Sequence, residues 1–409
     1  MHIAFHDRMG NADEITVSIG ETISDVLIKA QIPPNSVIVL KDDEIVADSH
    51  KISKGSKYEA HLIEGYDIKA IQKQFEKLND TKNNNPNYVL TNKHLSFNKK
   101  GGIEIEAYDC SIDEIEISVE NSIVRTCDHY SLIEKGDRIL IGLSGGVDSS
   151  SLAIALSILK NRLPNHEIIA VTFEDNDCKT SPTFENAKKL SSAFGIEYHI
   201  APASLADKIF RLKTPLKKIL PELMNTEFAH HAMYIDHHTT RRVLEVFSEE
   251  VGATKICLGL HATDLIAGLL NGWMTGYAVA SLPKRKIGNY TYIYPLAFQQ
   301  KKNLHIYHYK KTGFLARHTY PNQWEQNPLD RNFYYYLSDI LQYYWPGVEY
   351  QLFTAHRWRL QLGNPQSFTQ CSNCGSTLLH QPFTPIEYTE CDACHVFQKL
   401  GYIDGNENV

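Results

Sequence analysis

At 409 residues and a formal charge of −7, the chain has room for two or three domains, each large enough to bury a core. Its 43% hydrophobic and 22% charged residues are ordinary for globular protein. No apolar run approaches the ~20 residues of a membrane span, and no basic stretch followed by an apolar core opens the chain. A cytoplasmic protein without membrane contact is therefore expected.

Residues 1–66 read as a small unit. Ile3-Ala-Phe and Ile15-Thr-Val-Ser-Ile are strand-like, and Thr22 with Asp25 makes a capping-box-like start to a short helix carrying Ile23, Val26, Leu27 and Ala30, which Pro33 and Pro34 stop. Ser36–Leu40, Glu44–Ala47 and Tyr58–Ile63 alternate as further strands. This ββαβ order resembles the ubiquitin-like β-grasp sulfur carriers. Those carriers end in Gly-Gly, whereas this chain runs on through Glu64-Gly65-Tyr66. The resemblance therefore implies a domain that positions or binds rather than one that carries sulfur on its own carboxyl.

Residues 67–118 form a linker and a small β element: a helix over Asp67–Asp80, a polar linker over Thr81–Asn87, and alternation in Ile103–Ala107 and Ile115–Ser118. A helix from Val119 to about Ile133 leads into residues 119–345. There, strands at Ile139–Leu143, Ile168–Phe173, Ile196–Ile200 and Lys255–Leu260 alternate with helices over Ser149–Lys160, Ser181–Gly195, Thr240–Val251 and Ala262–Asn271. Repeated βα units imply an α/β fold with a parallel sheet whose ligands bind beyond the strand C-termini.

The apolar run ending at Leu143 is followed by Ser144-Gly-Gly-Val-Asp-Ser149 and an apolar helix. A glycine turn between a buried strand and a helix start brings backbone N–H groups and the positive helix end to an anion. The Gly-Lys-Ser or Gly-Lys-Thr of a Walker loop is absent. The segment resembles the PP-loop of the ATP pyrophosphatases, which cleave ATP between the α and β phosphates. The resemblance implies a sheet of the adenine nucleotide alpha-hydrolase (HUP) type. It also implies ATP and Mg2+, with Leu143, Ser144, Gly145, Gly146, Val147, Asp148, Ser149, Thr172, Glu174 and Gly259 around the nucleotide.

Further stretches narrow the branch. Gly252–Asp264, then Leu269-Leu-Asn271 and Gly276, with Arg241-Arg242 before them, resemble the second signature of the tRNA 2-thiouridine and 2-thiocytidine synthetases. In residues 346–409, Cys371-x-x-Cys374 and Cys391-x-x-Cys394 have zinc-knuckle spacing. They are similar to the terminal zinc finger of the 2-thiouridine group. The resemblance makes Asp148, Asp264, Arg241 and Arg242 catalytic candidates, and the place of Cys178 after the second strand of the core makes its thiol another. Those enzymes adenylate a pyrimidine carbonyl and replace AMP with sulfur, and cations offset the charge that develops on the phosphates.

The chain also departs from that pattern. Tyr234 and His237 stand where the family has a Cys-x-x-Cys before the basic pair, and no cysteine lies near Pro321, so no family-type iron–sulfur cluster is expected. His230, His231, Asp236, His237 and His238 crowd the same neighbourhood, as a metal site or a solvated polar turn. No acid occurs from Leu265 to Trp324, while Lys284, Arg285, Lys286, Lys301, Lys302, Lys310, Lys311 and Arg317 leave the rest of the chain at −15. Segment 284–317 is thus expected to bind tRNA. A sulfur donor protein and a second copy of the chain are the other expected partners. The competing readings are an adenylating enzyme with a small-molecule acceptor and a non-catalytic adaptor.

Overall fold

The computed structural model describes residues 2–7, 12–63, 93–97, 103–107, 112–174, 182–275, 279–315, 331–345, 347–362, 368–379 and 389–404. The chain divides into two compact units. The first comprises Met1–Ser122, His261–Tyr277 and Phe298–Thr354; the second comprises Ile123–Leu260, Ala278–Ala297 and Ala355–Val409.

The N-terminal strands are β1 (His2–His6), β2 (Ala12–Thr16), β3 (Val37–Lys41), β4 (Glu44–Val46) and β5 (Tyr58–Leu62), with helix α1 (Ile23–Lys29) after β2. They form one mixed sheet in the order β2-β1-β5-β3-β4 with a parallel β1/β5 pair. Thr22 and Asp25 close a full capping box on α1. The helix stops at Ala30 and left-handed Gln31, ahead of the prolines expected to end it. Ile3, Phe5, Ile23, Val26, Leu27, Val37, Val39, Ala60 and Leu62 make a continuous apolar core.

A two-stranded hairpin, β6 (Lys93–Phe97) and β7 (Ile103–Ala107), precedes α2 (Ile112–His129). The expectation of a strand at Ile115–Ser118 is corrected, because these residues lie in α2. Ile115, Val119, Ile123 and Cys127 recur at four-residue spacing and are all buried, whereas Ile117 is 62% exposed. Helical periodicity thus overrides a short run of alternation. The helix expected over Asp67–Asp80 and the linker after it lie outside the described residues.

The second unit is built on β8 (Asp137–Gly142), α3 (Val147–Ile158), β9 (His166–Phe173), α4 (Pro182–Ala193), β10 (Glu197–Ala201), α5 (Ala203–Phe210), α6 (Leu216–Leu223), α7 (Ala232–Glu250) and β11 (Lys255–Cys257). After α8 (Ala262–Thr275) come β12 (Lys284–Ile287) and β13 (Tyr290–Ile293). The six strands pair in the order β10-β9-β8-β11-β13-β12, parallel except for β12. Ile139, Leu140 and Ile141 of β8 are fully buried, the continuous apolar run required of a central strand covered on both faces. Helix α7 begins two turns before the expected Thr240, because Ala232 and Ile235 already supply buried positions at helical spacing.

The remaining elements are α9 (Lys301–Thr312), α10 (Arg331–Tyr344), α11 (Val348–Leu362), the β14 (Phe368–Gln370)/β15 (Thr377–Leu379) hairpin and α12 (Asp392–Lys399). No helix among the described residues is long and apolar enough to cross a membrane.

Candidate functional site

Three turns leave the C-terminal ends of the adjacent strands β9, β8 and β11. Ser144 to Gly146 follows β8, Glu174 follows β9, and Gly259 follows β11. In the first turn Gly145 takes φ +78°, a left-handed conformation open to glycine at little cost. Gly146 is the N-cap of α3, and no side chain caps that helix. Its first N–H groups are therefore left for an anion, reinforced by the helix dipole.

The turn is held in shape by its own serines. Ser144 N donates to Ser149 Oγ at 3.2 Å, the two hydroxyl oxygens lie 3.0 Å apart, and Gly146 N donates to Ser144 Oγ at 3.3 Å. Thr172 Oγ1 donates to Leu143 O at 2.6 Å and accepts from Tyr198 Oη at 2.9 Å, tying the end of β9 to the start of the loop. The Glu174 backbone N–H is spent on Ala201 O at 2.8 Å. Leu143, Gly145, Val147 and Ser149 are buried, Ser144 is exposed, and Asp148 is half-buried in the first turn of α3.

Gly259 has its own reason to be glycine. A Cβ there would stand 2.8 Å from Ser149 N and Cα and 3.0 Å from Asp148 C. The loop after β11 thus lies backbone to backbone against the first turn of α3.

The other catalytic candidates are placed differently. Asp264, in the first unit, accepts the His261 backbone N–H at 3.1 Å and the Tyr335 hydroxyl at 2.7 Å. Burial pushes its carboxyl up, but His261, Lys301, Tyr335 and the backbone N–H together hold it below the ordinary range. Arg242 Nε donates to Cys374 O at 2.9 Å, while its Nη1 reaches both Glu245 Oε2 and Tyr290 Oη at 3.1 Å. Arg241 Nε lies 3.6 Å from the same Glu245, which is fully buried and also accepts from Tyr292 at 2.6 Å. Sequence reasoning missed Glu245 as the hub of this network, although its i+3 and i+4 spacing from the arginines is a readable signal. Cys178 lies outside the described residues. Burial raises the Cys127 thiol to about 12 and the Cys257 thiol well above its usual range, so both are core residues.

The four knuckle cysteines converge. Cys371, Cys374, Cys391 and Cys394 are buried, with sulfur atoms within 4.8 Å of one another. Hydrogen bonds among the four thiols push Cys374 and Cys371 down and Cys391 and Cys394 up, so they titrate as one hydrogen-bonded set. His238 serves this centre without being one of the converging ligands. Its Nε2 lies 3.1 Å from Ser376 Oγ, and Ser376 Oγ accepts from Cys374 Sγ at 3.1 Å. Among the described residues, no metal-competent cluster includes His231, Asp236, His237 or His238.

Four cations of segment 284–317 are engaged with the protein itself. Lys302 pairs with Asp48, and Lys311 with Glu116 and Glu120. Lys284 donates to Ser131 O at 2.7 Å and lies 3.9 Å from Glu134. Arg285 stacks over Tyr294 at 5.6 Å. Lys286 is exposed, and Arg317 lies outside the described residues.

No protein-family model matches the chain. It is 29% identical over 197 residues to the tRNA-cytidine(32) 2-sulfurtransferase of Colwellia psychrerythraea, covering 47% of this chain and 57% of that protein. It is 30% identical over 182 residues to the enzyme of the same name from Pseudomonas fluorescens strain SBW25, covering 44% and 61%. The chain thus spans little more than half the length of these curated relatives. Its fold is similar to that of the U34-tRNA thiolase NcsA from Methanococcus maripaludis, with TM-score 0.53, 18% identity, and coverage of 72% of this chain and 91% of that one.

That thiolase carries a [4Fe-4S] cluster. The expectation of zinc with no iron–sulfur cluster is therefore corrected. Four converging cysteine sulfurs are the donor set of an iron–sulfur cluster as well as of a tetrahedral ion. The sequence reasoning had sought cluster ligands only before the arginine pair and near Pro321. The α/β core of this chain thus shares its fold with that thiolase, and about half of its length is similar in sequence to the tRNA 2-sulfurtransferases.

Proposed function

We propose that the chain binds ATP at Ser144–Ser149, adenylates a carbonyl oxygen of a tRNA pyrimidine, and lets sulfur from a separate donor replace AMP. One observation carries this reading: an uncapped helix start behind a preformed glycine turn, at the C-terminal end of a central parallel strand. The carbonyl oxygen attacks the α phosphorus and pyrophosphate leaves. The sulfur nucleophile then adds to the carbon and AMP departs with the oxygen. The N–H groups of Val147 to Ser149 and the hydroxyl of Ser144 are assigned to the phosphates. Asp148 is assigned to the reacting end of the nucleotide.

Thr172 and Leu143 shape the pocket floor in this reading. Arg241 and Arg242 act through position, since their guanidinium groups are bonded to Glu245, Tyr290 and the cysteine knuckle. The sheet order β2-β1-β5-β3-β4 with its single helix supports a ubiquitin-like reading of the N-terminal region. A cytoplasmic location fits a tRNA substrate. The four-cysteine set is assigned to a metal centre, and a [4Fe-4S] cluster fits its donors.

The test is to supply ATP with bulk tRNA and sulfide as the sulfur source and measure AMP and pyrophosphate. The wild-type chain should release both, and Asp148→Ala should slow release by more than about 100-fold. A wild-type chain that neither binds nor cleaves ATP overturns the reading. A second reading, a small-molecule acceptor in place of tRNA, is favoured by the pairing of Lys284, Lys302 and Lys311 with acids of the same chain. ATP cleavage that depends on a small-molecule extract and not on tRNA would select it.

A further inference from the structure

His6, Glu59 and His61 lie on one face of the N-terminal sheet. Strands β1 and β5 are parallel neighbours, His6 pairs in register with His61, and Ala4 pairs with Glu59. Alternation along β1 sends Ile3 and Phe5 to the apolar core, and along β5 it sends Tyr58, Ala60 and Leu62 there. His6, Glu59 and His61 are thereby left together on the opposite face. A parallel register with two hits on one strand and one on the next brings three donors to adjacent positions.

The side chains close on one another. The His6 and His61 rings stack at 4.7 Å with 9° between their planes, and His61 Nε2 lies 3.3 Å from Glu59 Oε2. Their donor atoms all lie within 4.8 Å of one another. His61 and Glu59 are largely sequestered, with side-chain exposures of 7% and 15%. Access remains on one side, since Glu59 also lines a recess of about 250 Å³ with Leu40, Asp42, Asp43 and Lys57.

We infer that His6, Glu59 and His61 form a second metal site that takes a late first-row divalent ion through two imidazoles and one carboxylate, with a coordination position left open. Imidazole selects zinc, copper, nickel or iron over magnesium and calcium, which prefer all-oxygen sets. Bonds of roughly 2.1 Å draw donors closer than they stand here, so closure takes side-chain adjustments on the order of an ångström. The Lys57 ammonium, which pairs with Glu59, sits on a side chain that is 75% exposed and can swing into water when the ion enters. The site is separate from the cysteine centre in both ligand type and unit.

Cobalt(II) distinguishes the two. The untagged full-length chain, with its resident cysteine-bound metal in place, is titrated with Co2+ while visible absorption and metal stoichiometry are recorded. One further equivalent should bind with weak ligand-field bands and no thiolate-to-cobalt charge-transfer band. His6→Gln and Glu59→Gln should each weaken that binding by about tenfold or more, with circular dichroism unchanged. His61→Gln serves as the third variant if either of these fails to fold. The proposal is overturned if no further equivalent binds, if the bound cobalt shows thiolate charge transfer, or if folded variants bind as the wild type does. In each of those outcomes the three side chains are only a hydrogen-bonded cluster.

Discussion

The Ser144–Ser149 turn and the basic segment 284–317 were the two loudest signals in the sequence, and tertiary structure treats them in opposite ways. Behind the turn, α3 starts without a side-chain cap, and the serine hydroxyls hold the loop in shape. The segment spends three of its lysines, Lys284, Lys302 and Lys311, at home on Asp48, Glu116, Glu120 and Glu134. A phosphate loop is specified by a few contiguous residues whose geometry is local. The availability of a charge depends on whatever distant residue folds against it. Charge counted along the sequence therefore overstates the surface field.

The largest test of that contrast is Lys302→Met. The Lys302 side chain is 8% exposed and that of its partner Asp48 is 18% exposed, so removing the ammonium strands a largely buried carboxylate. Thermal or denaturant unfolding should show a loss of about 3 kcal/mol. A loss within experimental error would return Lys302 to the set of cations available to RNA. Next in size is Gly259→Ala. The added methyl meets Ser149 N and Cα at 2.8 Å, which are main-chain atoms that cannot rotate away. ATP affinity by equilibrium binding should fall about 10- to 100-fold with a smaller change in stability. Unchanged ATP binding would mean that the first turn of α3 does not hold the nucleotide.

Legibility followed the same division. The strand, turn and helix around Ser144 were readable because Ile139 to Ile141 are apolar throughout and glycine marks the turn. The capping box at Thr22 was readable because it lies within four residues. Ile115–Ser118 misled because four alternating residues cannot outvote a helical repeat running to Cys127. His238 and Ser376 were not legible as partners, since the bond between them joins residues 138 apart. The iron–sulfur expectation failed for a related reason: ligands were sought only at fixed places along the chain, before Arg241 and near Pro321, whereas a metal centre requires only convergence in space.

Asp264 offers a smaller, pH-dependent effect. Its folded carboxyl lies below the ordinary value of 3.8, so ionised Asp264 stabilises the fold above that pH. The contribution is lost as pH falls through the folded value. Asp264→Asn should cost about 1 kcal/mol at pH 7, with the gap from wild type closing in acid. A gap that stays constant with pH would assign the loss to packing and remove the charged hydrogen bonds to Tyr335 and His261 from the account.

The smallest expected effect is also the sharpest discriminator of the acceptor. Lys286 is exposed on the antiparallel edge strand β12, whereas neighbouring Lys284 is held by Ser131 and Glu134. If tRNA passes over this edge, Lys286→Glu should lower the slope of log affinity against log salt by about one phosphate contact. Lys284→Glu should instead act mainly on stability, because it places a carboxylate beside Glu134. A tRNA slope unchanged by Lys286→Glu would mean that this strand makes no phosphate contact, leaving RNA to another surface. The same result, together with ATP cleavage that ignores tRNA altogether, would favour the small-molecule acceptor.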